Sequence, residues 1–140
     1  MQACYRKLHR YKYQLMDDYT VQIDIKPAED IVYDYLSLSS EGLLTINKHY
    51  AWDGPSGPTI DTRDFMRGAL VHDALYQLMR LSALDNNEYR KRADQILREI
   101  CLEDGMWGFR AWYVYLAVHI FASGSAKPGN EPEVKIICVP

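Results

Sequence analysis

An α+β fold, a small antiparallel β-meander followed by a three-helix unit, is what three features of the sequence predict. Residues 11–46 alternate with period two and are rich in β-branched and aromatic side chains. Residues 50–60, YAWDGPSGPTI, hold two glycines and two prolines and can sustain neither helix nor ladder. From Asp61 onward the apolar residues recur at helical spacing. A chain of 140 residues fits one domain, because at about 150 residues roughly two thirds of the unfolded surface is buried. The expected segments are a β-meander over 1–48, a Gly/Pro-rich loop over 49–63, three helices over 64–123 and a tail over 124–140.

In the β region, YKYQL, YTVQIDI, YDYLSL and LLTI read as short strands. Met16-Asp17-Asp18 turns the first pair, Lys26 to Asp30 makes a longer loop, and Ser39-Ser40-Glu41-Gly42 suits a hairpin. Asp61, with Asp64 three residues on, marks an N-cap region. After it Phe65, Ala69, Leu70, Leu75, Leu78 and Met79 hold a helical face to about Leu81. Asp85-Asn86-Asn87-Glu88 marks a second start, for a helix that buries Ala93, Ile96, Leu97, Ile100 and Cys101 and ends at Gly105. A third helix runs from about Trp107 to Ser123. It is apolar over most of its circumference, but Arg110 and His119 interrupt it and it falls short of the about 20 apolar residues that cross a bilayer, so it reads as a core helix. The tail ends in VKIICV, a candidate last strand.

Composition narrows the partners. Sixteen basic and 19 acidic residues are mixed along the chain to a formal net charge of -3, with no basic arm to track phosphates, so nucleic acid is not an expected partner. Eleven tyrosines and three tryptophans suit a core or an interface equally. Cys4, Cys101 and Cys138 are an odd number without metal-ligand spacing, which points to a reducing compartment. The first residues, MQACYRKLHRYKYQL, lack the apolar stretch of a signal peptide.

One constellation carries chemistry. If the first two helices are antiparallel about a turn centred near Ala83, His72 and Asp94, each 11 positions from it, lie side by side. Tyr76 follows His72 by one turn and can reach the same polar cluster. A carboxylate on one imidazole nitrogen fixes the tautomer and leaves the other as an acceptor, which is what a general base for water requires. Asp73 is turned by about 100° from His72 and can point toward the preceding loop. There Gly54 and Gly57 allow carbonyls to converge, and carbonyls with a carboxylate are the hard oxygen donors that Ca²⁺ prefers.

The Tyr-led, Gly-rich loop YAWDGPSGP, the helical HDALY and the RADQIL of the partner helix together resemble the phospholipase A2 superfamily, above all its disulfide-free parvoviral branch. Residues 10–122 also resemble a family of phage and prophage proteins that carries the loop pattern followed by HDALY and an R-x-x-AD helix. The resemblance implies that His72 activates the water attacking a glycerophospholipid ester, that Asp94 holds its imidazole, and that Tyr76 hydrogen-bonds Asp94. It implies that Asp73 binds Ca²⁺ with carbonyls around Trp52, Gly54 and Ser56. Asp53 is an added carboxylate in the loop, a further ligand or a turn former. The stapling cysteines of the secreted enzymes are missing, and no lipid-binding surface is identified.

The expected function is therefore a phage-type, Ca²⁺-dependent hydrolase of lipid esters, acting on bacterial membrane phospholipid and found in the virion or the host cytoplasm. The alternative is a non-catalytic virion protein of tail or neck that keeps the scaffold and binds other virion proteins. A metalloprotease or nuclease is weaker, since neither H-E-x-x-H nor a second positioned His supports it. Simpler roles stand beside these. Asp94 could be a solvated ion-pair site with Arg90 and Arg98, and Asp73 a solvated helix residue. His49 and His119, without partners at useful spacing, read as structural or exposed, and His9 as part of a solvated basic face. Trp52 reads as a loop anchor, and Arg110 as a capping or pairing residue.

Overall fold

Side-chain alternation decides the sheet. Leu36, Leu38, Leu44 and Ile46 are fully buried, whereas Ser37 and Thr45 between them are half-exposed, so one face of a pleated pair turns to the core. The computed structural model describes residues 3–5, 13–52, 63–121 and 137–139. Its strands are β1 (Ala3–Tyr5), β2 (Tyr13–Gln14), β3 (Tyr19–Gln22), β4 (Ile31–Val32), β5 (Leu36–Leu38), β6 (Leu43–Ile46), β7 (Ala51–Trp52) and β8 (Ile137–Val139), and its helices are α1 (Arg63–Arg80), α2 (Asn86–Glu103) and α3 (Gly108–Phe121). This is the α+β order read from the sequence, an antiparallel β region followed by three helices.

The β region is more interleaved than a meander. One sheet has the order β3-β6-β5-β4, so β4 to β6 run in succession while β3 closes the far edge beside β6. The expected hairpin of residues 11–15 with 19–25 does not form. Instead β2 pairs antiparallel with β7, Tyr13 opposite Trp52. The acidic turn is tied to the far end of the region: Asp18 Oδ1 accepts from the Lys48 amide at 2.7 Å, and Leu15 exchanges bonds of 2.7 Å with Tyr50 and His49. Burial of Trp52 against the Tyr13 ring, 5.6 Å between centroids, accompanies this pairing. Ala51 and Trp52, which the sequence assigns to the irregular loop, are thus strand, and residues 53–62 lie outside the described set. β1, which the sequence reading left without a strand, pairs antiparallel with β8 and sets Cys4 opposite Cys138.

The helices stop where their chemistry dictates. Asp85 caps α2 by accepting from the Asn87 amide at 3.0 Å. Gly105, at φ +95°, closes it with Gly105 N–H to Leu102 O at 3.1 Å and Met106 N–H to Cys101 O at 2.9 Å, a pattern that needs a left-handed residue. α1 and α2 pack closely. A Cβ built on Gly68 of α1 would stand 2.8 Å from Leu97 Cδ1 and 3.3 Å from the Leu97 carbonyl. Two hydrophobic clusters result: one joins the sheet to α1 and α2 through Leu44, Ile46, Leu75, Met79 and Ile96, and the other joins the three helices through Phe65, Leu97, Met106, Val114 and Val118. No helix among the described residues is long and apolar enough to cross a membrane.

Candidate functional site

α1 carries His72, Asp73 and Tyr76, and α2 carries Asp94. Between the helices stand five residues, Leu81 to Asp85, whose centre is Ala83, and positions equidistant from that centre meet across the pair. His72 Nε2 lies 2.7 Å from Asp94 Oδ1, and the Tyr76 hydroxyl donates to the same oxygen at 2.6 Å. The Tyr76 ring lies against the His72 ring, 4.1 Å between centroids. Asp94 is fully buried and His72 only 5% exposed. The solvated ion pair of Asp94 with Arg90 and Arg98 is thus not what forms. Arg90 turns to His119, and Arg98 Nε is buried without a hydrogen-bond partner.

A third donor comes from α3. His119 Nδ1 lies 3.0 Å from Asp94 Oδ2, so both oxygens of the carboxylate are engaged. This corrects the sequence reading that left His119 without a partner. The available signal was its company: His119 stands in the last turn of a largely apolar helix, where a polar ring among apolar neighbours calls for a polar partner. His49, by contrast, is exposed and takes part through its backbone, accepting from Gln14 Nε2 at 3.2 Å. Arg110 pairs with Asp64 at 3.4 Å, in keeping with the pairing role.

The electrostatics follow from these bonds. Burial pushes the Asp94 carboxyl up, but hydrogen bonds from His72, Tyr76 and His119, with the electrostatic pull of the His72 N–H, outweigh it and hold the group below its usual range. Burial, and then the neighbouring Asp94 charge, push the Tyr76 phenol far up, so it stays a donor. An ionised carboxylate only accepts. His72 must therefore donate from Nε2, which leaves Nδ1 bare in the neutral ring. That nitrogen is 4.0 Å from Asp73 Oδ1. His72 Nδ1 and the Asp73 carboxylate thus share one side of α1.

The loop side is partly legible. Asp73 is partly exposed, 31% of its side chain, and Gln77 follows it by one turn on the same face. Tyr50, just before β7, donates to Gln77 Oε1 at 2.7 Å, and Gln77 Nε2 donates to the Tyr35 hydroxyl at 3.3 Å. This docks the backbone just ahead of β7 on the face of α1 that bears Asp73, a link the sequence reading missed. Trp52 is buried in the core beside Tyr13, as an anchor would be, and its indole Nε1 has no hydrogen-bond partner. Asp53, Gly54, Gly57 and Ser56 lie outside the described residues. Among the described residues no three His, Cys, Asp or Glu side chains are grouped to hold a metal ion. A cation here would rest on Asp73 with backbone carbonyls, a donor set of hard oxygens that suits Ca²⁺ and not a transition metal. A cavity of about 490 Å³ lies elsewhere, between β3 and the outer side of α2, lined by Ile23, Asp24, Arg92 and Ile100 among others, and neither His72 nor Asp94 borders it.

The chain belongs to a family of proteins of unknown function, DUF1353, whose model matches residues 40–118. The matched span takes in His72, Asp73, Tyr76 and Asp94 and stops one residue short of His119. No curated protein and no solved structure matches the chain.

Proposed function

We propose that this protein is a phage-type, Ca²⁺-dependent hydrolase of lipid esters with a phospholipase A2-like His/Asp mechanism, acting where a virion or its products meet bacterial membrane phospholipid. One observation carries the reading: a fully buried carboxylate accepts the hydrogen bond of His72 Nε2–H and thereby leaves Nδ1 bare beside Asp73. The resemblance of the loop, HDALY and RADQIL to that superfamily supports it independently.

In this mechanism His72 Nδ1 removes a proton from water as the water oxygen attacks the ester carbonyl carbon. The imidazolium that forms is stabilised by Asp94, which stays ionised. Collapse of the tetrahedral intermediate breaks the bond to the alcohol oxygen, and His72 returns the proton to that oxygen. Tyr76 acts through Asp94 and is a positioning residue. Asp73, with carbonyls from around Trp52, Gly54 and Ser56 and a further ligand at Asp53, would hold the Ca²⁺, whose chemistry when bound is to stabilise negative charge on the carbonyl oxygen.

The test is release of free fatty acid and lysolipid from vesicles of mixed bacterial phospholipids, followed by mass spectrometry with Ca²⁺ or with a chelator. Wild type should release product only with Ca²⁺. His72→Ala should lower the rate by about 10²-fold or more, the usual worth of a general base, and Asp73→Asn should abolish the Ca²⁺ response. Equal release from all samples would refute the assigned roles.

A second reading, a non-catalytic virion component, is favoured by the outward face of α3. Phe109, Trp112, Tyr113 and Ile120 recur there at helical spacing and are exposed, as is Trp107 before the helix, a surface that suits partner proteins. It predicts no turnover with any ester and co-purification with virion proteins through that face.

A further inference from the structure

Asp94 carries two imidazoles, and the hydrolase proposed above uses only one. His72 and Tyr76 both bond to Oδ1, whereas His119, arriving from α3, reaches Oδ2. The His119 ring is stacked on Tyr115, with centroids 5.7 Å apart and planes 12° from parallel, so its orientation is fixed by packing as well as by the bond. Its side chain is 34% exposed, unlike that of His72. Arg90, one turn before Asp94 on α2, donates from Nη1 to the His119 carbonyl at 3.1 Å and holds Nη2 3.5 Å from each ring nitrogen.

Two consequences follow. A carboxylate gripped through one oxygen can swing about that contact, while a donor on the second oxygen fixes its plane and keeps the Oδ1 lone pair aimed at His72 Nε2. The kind of donor matters as well. Arg90 stands four residues before Asp94, the spacing at which helical ion pairs form, yet its guanidinium is engaged by His119. A direct Arg–Asp pair would set a permanent cation against the carboxylate. An imidazole donating from Nδ1 satisfies Oδ2 through one directed N–H and leaves Oδ1 to His72 and Tyr76.

We propose that His119 is a positioning residue of the His72–Asp94 pair, pinning the second carboxylate oxygen and keeping Arg90 off it. The role rests on the hydrolase reading for its purpose, but the bond network is measurable without turnover.

The experiment compares His119→Leu, which removes the donor, with His119→Asn, which keeps a donor near the Nδ1 position. The first readout is the far-downfield proton resonance of the His72 Nε2–H, assigned by its loss in His72→Gln. It should shift or broaden in the Leu variant and return toward wild type in the Asn variant. The second is hydrolysis of the same phospholipid vesicles. The Leu variant should lose roughly 10- to 100-fold in kcat with KM unchanged, the scale typical of a group that orients a site residue, and Asn should recover most of it. A folded Leu variant with the wild-type His72 resonance overturns the assignment whatever the turnover. Wild type without turnover, but with a His72 resonance that follows residue 119, removes the hydrolase reading and keeps the positioning role. Should the Leu variant fail to fold, Asn against His119→Gln decides: the longer Gln amide should displace the resonance and Asn should not, and identical spectra overturn the proposal.

Discussion

Asp94 has no contact with water, and its charge survives because three side chains donate to it. Removing it as Asp94→Ala strands the buried donors of His72 and Tyr76 along with that of half-buried His119 and should cost about 3–5 kcal/mol, read as the shift of a urea unfolding curve. The sign of its pH dependence follows from the lowered carboxyl. Such a group adds stability above its unfolded value and loses it as pH falls through the folded value. Wild type should therefore weaken below about pH 4, the unfolded Asp range, and Asp94→Asn should flatten that part of the profile. His72, Tyr76 and Asp94 were legible in the sequence because helix geometry alone brings them together. His119 was not, because α3 is apolar nearly all round and its periodicity gives no sign of which side meets α2.

At the scale of elements, the α1–α2 pair was readable because its connection is short and capped at Asp85, so the centre of the turn had little room to move. The closeness of the pair is testable at Gly68. Alanine there gains helix propensity, but its Cβ meets the buried Leu97 side chain and the Leu97 carbonyl. Gly68→Ala should destabilise by about 1–3 kcal/mol through overpacking, and stabilisation would mean that the helices lie further apart. The pairings of β2 with β7 and of β1 with β8 join distant segments and leave no local signal; only the β5–β6 turn and the buried alternation could be read directly.

In the whole molecule, the polar cluster sits where the two hydrophobic clusters meet, between the sheet-facing and the α3-facing sides of the α1–α2 pair. The fold class and the helix order were plain in the sequence because periodicity changes at the Gly/Pro-rich loop. For that loop the sequence offers only the chemistry of its donors, since Gly and Pro do not say where carbonyls point. What the architecture does for the site is to bury Asp94 and orient the bare nitrogen of His72 toward the side of α1 that bears Asp73. The most direct measurement of that claim is the ¹⁵N-resolved imidazole spectrum of His72 at neutral pH, assigned with His72→Gln. The structure predicts a ring protonated at Nε2 and bare at Nδ1; a proton on Nδ1 with Nε2 bare would contradict it and take away the base on which the proposed hydrolysis depends.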